Sequence, residues 1–354
     1  MTGIFMYQNF SLQDTPDLDG RVAVVTASVK ASAQRHPSNI RVAKNEVVEI
    51  TAQLLEHGIA KVFIIARSAT KYQEALQAWQ QRKLLDEDNS RVEFVPCDLG
   101  DINAVKAAAD HIKRSTEYVH LLVCNAGLGV PPQYNRSAQN IDWVFATNCV
   151  GHQVLTILLI PLLKRAVMHT DNGDARVVIT SSVLHVVCRH LDLDLLTSPS
   201  RIVKWSNMWD GIWRYGRSKL GNILFANELS RRLLMDRDPA AQHIYVNSYF
   251  PGNIVTDQWN AWSAYVGGFL GGILRKLGRF FGQSLQDGAA TAVYLAASPE
   301  VRRKNYRGKY FIPIATLCAP SATAQDPKLA RDLWVSDVSN PRDIYIDTNR
   351  SGLG

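Results

Sequence analysis

A tyrosine and a lysine four residues apart, in Tyr215-Gly-Arg-Ser-Lys219, form the spacing in this chain that most directly implies chemistry. On a helix that interval places a phenol and an ammonium on one face. The cation favours phenolate, so a phenol with a pKa near ~10 can be drawn toward the working pH. It can then donate a proton to a carbonyl or accept one from an alcohol. The chain holds 12 tyrosines, so one such pair could arise by chance, and the neighbouring segments must carry the assignment. Ser181 and Ser182 close the apolar run Arg176-Val-Val-Ile-Thr180. Asn125-Ala-Gly127 closes His120-Leu-Leu-Val-Cys124. Ala146-Thr147-Asn148-Cys-Val-Gly151-His152 opens the apolar part of a long helical stretch, and Pro251-Gly252-Asn-Ile254-Val-Thr256 follows another apolar run.

These residues need elements that hold them at one edge. Short runs rich in Val and Ile read as strands at Val22–Thr26, Lys61–Ala66, Val92–Val95, His120–Cys124, Arg176–Thr180 and His243–Asn247. Helical patterns at roughly 45–57, 69–85, 101–116, 139–165, 215–236 and 284–298 alternate with them. Continuous apolar strands are those covered on both faces, and the alternation predicts a parallel, doubly wound α/β sheet in one domain. Ligands of such sheets bind outside the carboxyl ends of the strands, where the strand order reverses. Asn125, Ser182 and Pro251 all fall just past strand ends.

In this order the segments resemble the short-chain dehydrogenase/reductase family over about residues 20–315. Thr147-Asn148-x-x-Gly151-His152, Gln286-Asp-Gly-Ala-Ala290 and Arg307-Gly308-Lys-Tyr310 resemble its retinol-dehydrogenase-like branch, which includes fungal secondary-metabolism reductases. The resemblance implies a Rossmann-type fold with Tyr215 as acid/base and Lys219 lowering its pKa while bonding the nicotinamide ribose. It implies Ser182, rather than Ser181, as the holder of the substrate oxygen, and Asn148 as support for a proton relay behind the lysine. For the cofactor it implies Asp98 near adenine, Asn125 beneath the dinucleotide, and Ile254 and Thr256 at the carboxamide. Arg67, just after the second strand, stands where an NADP-preferring member meets the 2′-phosphate, so NADP(H) is expected. The implied activity is interconversion of a carbonyl and an alcohol on a lipophilic small molecule.

One part of the family pattern is missing. A glycine-rich turn should follow the first strand so that backbone can approach the pyrophosphate at a helix N-terminus. Here no glycine occurs between Gly20 and Gly58, and residues 27–48 replace the turn. Three readings remain open. Lys30, Arg35, Arg41 and Lys44, with Ser28, Ser32 and Ser38, could bind phosphate differently; the segment could be translated intron; or the lesion could mark a pseudoenzyme kept as a binding or oligomerisation module.

Composition bounds the rest. With 46% hydrophobic residues, 20% charged and a net charge of +7 spread without a charge block, the chain is expected to be globular and not to bind nucleic acid. Five scattered cysteines fit a reducing, cytoplasmic compartment. The N-terminus lacks a signal-peptide pattern, and Val154–Leu163 is too short an apolar run for a transmembrane segment. The histidines lack metal-ligand spacing, so no metal is expected. The expected layout is an N-terminal arm at 1–19, a domain at 20–325 and a tail at 326–354. Residues 257–283, apolar and glycine-punctuated, are expected to form a substrate lid, with a peripheral contact on a cytosolic membrane face as the alternative. Val183 to Arg214, with Trp205, Trp209 and Trp213, could wall an apolar pocket. A homo-oligomer is compatible with all of this.

Overall fold

The apolar runs pair into one sheet. A computed structural model of the chain describes residues 9–27, 46–130, 133–169, 173–193, 207–252 and 284–336. Its strands are β1 (Val22–Thr26), β2 (Lys61–Ala66), β3 (Val92–Pro96), β4 (Leu121–Cys124), β5 (Ala175–Thr180), β6 (Ile244–Tyr249), β7 (Lys309–Ile312) and β8 (Thr316–Cys318). They lie in the order β3-β2-β1-β4-β5-β6-β7-β8. The first seven are parallel, and β8 turns back antiparallel on β7. The order reverses between β1 and β4, so the crevice for a ligand opens beside Thr26 and Asn125.

The helices are α1 (Glu46–Glu56), α2 (Ala69–Gln81), α3 (Ile102–Ser115), α4 (Trp143–His169), α5 (Asn207–Met235), α6 (Leu285–Ala297), α7 (Pro299–Arg303) and α8 (Pro327–Ser336). Alternate strand residues point to opposite faces. Ala23, Val25, Leu121 and Val123 pack with α1, α2 and α6, whereas Val22, Val24, Leu122 and Cys124 pack with α3, α4, α5 and α8. Every residue of β1, β4, β5 and β6 is buried, as a sheet covered on both sides requires.

α4 is long and apolar enough to cross a membrane, but its most apolar window is 83% buried inside the fold, which makes it a core helix. A π-helical turn, Ala146–Val150, interrupts it and carries Asn148. Such turns often mark functional positions because they displace backbone groups from the regular helical ladder.

Several boundaries differ from expectation. α5 begins at Asn207, eight residues before Tyr215, and its first turns are tied by the Arg214 Nε to Asp210 Oδ2 bond of 2.7 Å, one helical turn apart. The expected tail at 326–354 begins with α8, which docks on α5 through the stacked rings of Phe225 and Trp334, 5.8 Å apart, with Arg232 over Trp334. Of segment 27–48, Ala27 continues the β1 pairing by bonding the Ile65 carbonyl, and residues 46–48 open α1. Residues 1–8 of the arm, 28–45 of the replaced loop, 194–206 with Trp205, the positions Ile254 and Thr256, the lid at 257–283 and the tail from 337 lie outside the described residues.

Candidate active site

The carboxyl edge of the sheet collects most of the residues singled out from sequence. Ser182 follows β5 and opens the 3-10 turn Val183–Val187, its hydroxyl oxygen accepting the Leu184 N–H at 3.2 Å. α5 crosses that turn closely. A Cβ on Gly216 would stand 2.6 Å from the Leu184 carbonyl oxygen, so the glycine after Tyr215 permits the approach. The approach brings the Ser182 hydroxyl beside the Tyr215 phenol, where it draws the phenol's pKa down against the effect of burial. Ser181 faces elsewhere: its hydroxyl donates to the Lys219 carbonyl at 2.8 Å and helps hold α5 against β5.

Lys219 lies one turn after Tyr215, its Nζ 5.8 Å from the phenol ring centre, and donates to the Thr180 carbonyl at 2.9 Å. Asn222, a further turn-length along the same face, donates to that carbonyl as well. Asn148 is held on three sides. Its Oδ1 accepts the Leu128 N–H at 2.7 Å, and its Nδ2 donates to the Leu128 carbonyl and to Ser218 Oγ, both at 3.0 Å. The amide thereby ties α4, the loop after β4 and α5 together, and Ser218 returns a bond to the Tyr215 carbonyl.

On the other side of the crevice, Arg67 follows β2 and Asp98 follows β3. Arg67 Nη1 lies 3.6 Å from Asp98 Oδ2, with both side chains partly exposed, and the guanidinium covers the Trp143 ring. Asp98 Oδ1 accepts the Gly100 N–H. Asn125 follows β4, its Oδ1 within 2.8 Å of Thr180 Oγ1 and 2.9 Å of the Tyr249 hydroxyl. Gly127, after β4, permits Asn148 and Lys219 to come close to the backbone there. A Cβ on Gly127 would stand 3.3 Å from Asn148 Oδ1 and 3.4 Å from Lys219 Nζ. An ammonium beside Gly127 and an exposed cation after β2, both at the reversal of strand order, are groups that could hold a dinucleotide, as the family resemblance implies for Lys219, Asn125, Arg67 and Asp98.

A short-chain dehydrogenase/reductase of Armillaria gallica is 32% identical to this chain over 326 residues, spanning 92% of this chain and 91% of the relative. The chain belongs to the short-chain dehydrogenase/reductase family. The family model described as short chain dehydrogenase matches residues 48–189. Among solved structures, L-sorbose reductase from Gluconobacter frateurii, complexed with NADPH and L-sorbose, shares the fold at a TM-score of 0.58 and 17% identity, over 85% of this chain and 97% of that one. The NADPH-bound carbonyl reductase from chicken fatty liver does so at 0.55 and 17%, over 85% and 100%. The protein is thus an oxidoreductase of this family, with a Rossmann-type sheet.

For this short-chain dehydrogenase/reductase the electrostatics depart from the simple expectation that Lys219 lowers the phenol pKa. Tyr215 keeps some exposure, yet burial around its phenol, opposed by Ser182 and reinforced by the negative charge of Glu46, pushes its pKa up to about 12. Burial also lowers Lys219 to about 8, against the attraction of Glu46. Without cofactor, therefore, the phenol stays protonated and the ammonium is the group nearer to titrating.

Residues not found from sequence complete the edge. Thr26 Oγ1 accepts the N–H groups of Asn125 and Ala126 at 3.0 and 2.9 Å, so its own proton is free for His152 Nε2 at 2.8 Å. His152 is then the Nδ1–H tautomer, donating to the Asn148 carbonyl at 3.0 Å. Burial holds its pKa down to about 4, so the ring is neutral. Glu46, the first residue of α1, is buried against Tyr249 at the end of β6, with Tyr249 Oη 2.7 Å from its Oε1. The 203 positions between these two leave no local signal. Thr26 could have been found as a strand-end hydroxyl, like Thr180.

Proposed function

We propose that this oxidoreductase uses NADP(H) to interconvert a ketone or aldehyde and the corresponding alcohol on a lipophilic small molecule, in secondary-metabolite biosynthesis. The observation that carries the reading is the placement of Ser182, at the end of β5, beside a protonated Tyr215 phenol, with the Lys219 ammonium one turn along the same helix. When bound, the nicotinamide supplies or accepts the hydride. The chain's own residues handle the proton and the geometry. Ser182 orients the substrate oxygen, Tyr215 gives it a proton in reduction or takes one in oxidation, and the Lys219 charge offsets the negative charge left on the phenol. Asn148 keeps the helices bearing these groups in register.

The choice of NADP(H) rests on Arg67, an exposed cation where the second strand ends, since a 2′-phosphate needs such a partner. The NADPH in the two solved neighbours is a property of those proteins. A lipophilic substrate is supported by the apolar side chains that follow Ser182. Val183 and Val186 are each 47% exposed and Val187 38%, an apolar surface beside the reacting groups. The deciding experiment is fluorescence titration of the purified full-length chain with NADPH. Saturable binding at cellular cofactor concentrations is expected, and its absence would defeat the reading.

A further inference from the structure

We propose that Glu46 sets the affinity of the dinucleotide site, so that cofactor binding draws a proton onto its carboxylate and the Glu46–Tyr249–Asn125 chain reports that proton to the crevice. The proposal rests on the cofactor reading above. It begins from position. Glu46 opens α1, the helix that follows β1 in the Rossmann unit, and the N-terminal end of that helix favours negative charge. An ionised Glu46 supplies that charge from the chain itself, where a dinucleotide would bring its phosphates. Like charges brought together in a partly dry site disfavour each other, so phosphate and carboxylate compete for the same surroundings.

The hydrogen bonds give the carboxyl two arrangements. When Glu46 is ionised, Tyr249 must donate its only proton to Oε1 at 2.7 Å, and Asn125 Oδ1 loses that donor. When Glu46 is protonated, it can donate to Tyr249 Oη, which frees the phenol proton for Asn125 Oδ1 at 2.9 Å. Thr180 Oγ1, 3.0 Å from Tyr249 Oη and 2.8 Å from Asn125 Oδ1, joins either arrangement. The protonation of a buried acid is thus passed to the strand-end asparagine of the crevice. Burial raises Glu46 to about 7, while the Tyr249 bond and the Lys219 charge pull it down. Tyr249 itself is held well above the usual phenol range and stays protonated.

The other groups around Glu46 are accounted for. From α5, Tyr215 and Lys219 interact with it electrostatically. From α6, which packs along α1, Asp287 is engaged in the capping box with Ser284 and Tyr294 donates to Glu300. On α1 itself, Glu49 is paired with Arg82. The buried acid of this set is the one placed to exchange a proton near neutrality.

The test is calorimetric titration of the full-length chain with NADPH between pH 6 and pH 8.5, in buffers of differing ionisation enthalpy, for wild type, Glu46→Gln and Tyr249→Phe. Wild type is expected to take up a proton on binding and to bind roughly five- to tenfold more weakly at pH 8 than at pH 7, as expected for one linked proton. Glu46→Gln, which keeps the shape and removes the charge, should take up less proton and lose less affinity between pH 7 and pH 8 than wild type, keeping only what Lys219 and the cofactor's own phosphate exchange. Tyr249→Phe removes a bond that lowers the Glu46 pKa, so the midpoint of the pH dependence should move upward. Equal proton uptake and pH dependence in wild type and Glu46→Gln, or an unmoved midpoint in Tyr249→Phe, overturns the proposal while leaving the cofactor reading intact. No saturable binding by wild type or Glu46→Gln at any pH defeats the cofactor reading and the proposal together.

Discussion

Arg217 Nη2 lies 3.1 Å from Asp142 Oδ2, with neither side chain exposed. The other oxygen of Asp142 caps α4 by accepting the N–H groups of Val144 and Phe145 at 2.8 and 3.0 Å. One carboxylate therefore binds the start of the helix carrying Asn148 to the turn of α5 between Tyr215 and Lys219. Arg214 approaches the same oxygen at 3.7 Å. Removing Arg217 leaves the buried Asp142 carboxylate with the more distant Arg214 as its remaining cation. Arg217→Leu should therefore lower the unfolding free energy by about 3–5 kcal/mol. Urea denaturation measures it, and a loss under about 1 kcal/mol would show that the pair does not hold these helices.

Arg67 tests cofactor choice. Replacing it by Asp puts a negative charge beside Asp98, against a 2′-phosphate. Since a hydrogen bond to a charged group contributes about 1.5–3 kcal/mol, NADPH affinity should fall about 10- to 100-fold while NADH affinity changes far less. Parallel fluorescence titrations with both cofactors decide this; an equal loss for the two would remove Arg67 from the phosphate site.

Lys219 should impose an alkaline limb on carbonyl reduction. Burial lowers its pKa to about 8, so the ammonium that offsets charge at the phenol is lost as pH rises through that region. At saturating NADPH, which separates this effect from binding, the reduction rate should decline around pH 8, with the phenol still protonated. A rate that stays flat well above pH 9 contradicts the assignment.

Acid stability follows from the buried histidines. His120 and His152 are both held down to about 4, whereas the unfolded chain binds their protons near 6.5. Their neutral burial is without penalty above about pH 6.5, and stability is lost as pH falls from there toward 4. Each amounts to roughly 3 kcal/mol. Glu46 acts in the opposite direction. Its pKa rises from 4.5 to about 7 on folding, so the fold gains from its proton as pH falls through that window. The net loss between pH 7 and 5 should then be smaller than two histidines imply, and Glu46→Gln should steepen it. Denaturation curves at the two pH values measure both; equal slopes in wild type and variant would refute the offset.

How much of this was legible in the chain differs from element to element. β1, β2, β4 and β5 were readable because a strand covered on both faces shows an unbroken apolar run, and Tyr215 and Lys219 because a helix turns a fixed interval into a shared face. α8 and β8 were not, since a ten-residue helix and a three-residue edge strand at the end of the sheet gain their stability from docking, on Phe225 and on β7, rather than from pattern. The early start of α5 was hidden in a stretch where Trp209, Asp210 and Arg214 break the apolar spacing while an ion pair sustains the helix.

The sequence by itself marked β1 to β6 and, through its resemblance to the family, the ordered set Asn148, Ser182, Tyr215 and Lys219, because these rest on apolar runs, on spacing within an element or on the residue that ends a strand. Tertiary structure gave the physical reason that Ser182 and not Ser181 lies beside the phenol, since the strand end turns Ser181 toward the Lys219 carbonyl. It also decided that Asp142 faces Arg217 and that Glu46 faces Tyr249. Those pairs join residues far apart in the chain, and the ionisation of a buried carboxyl depends on the desolvation and neighbours that exist only once the sheet and its helices have closed around it.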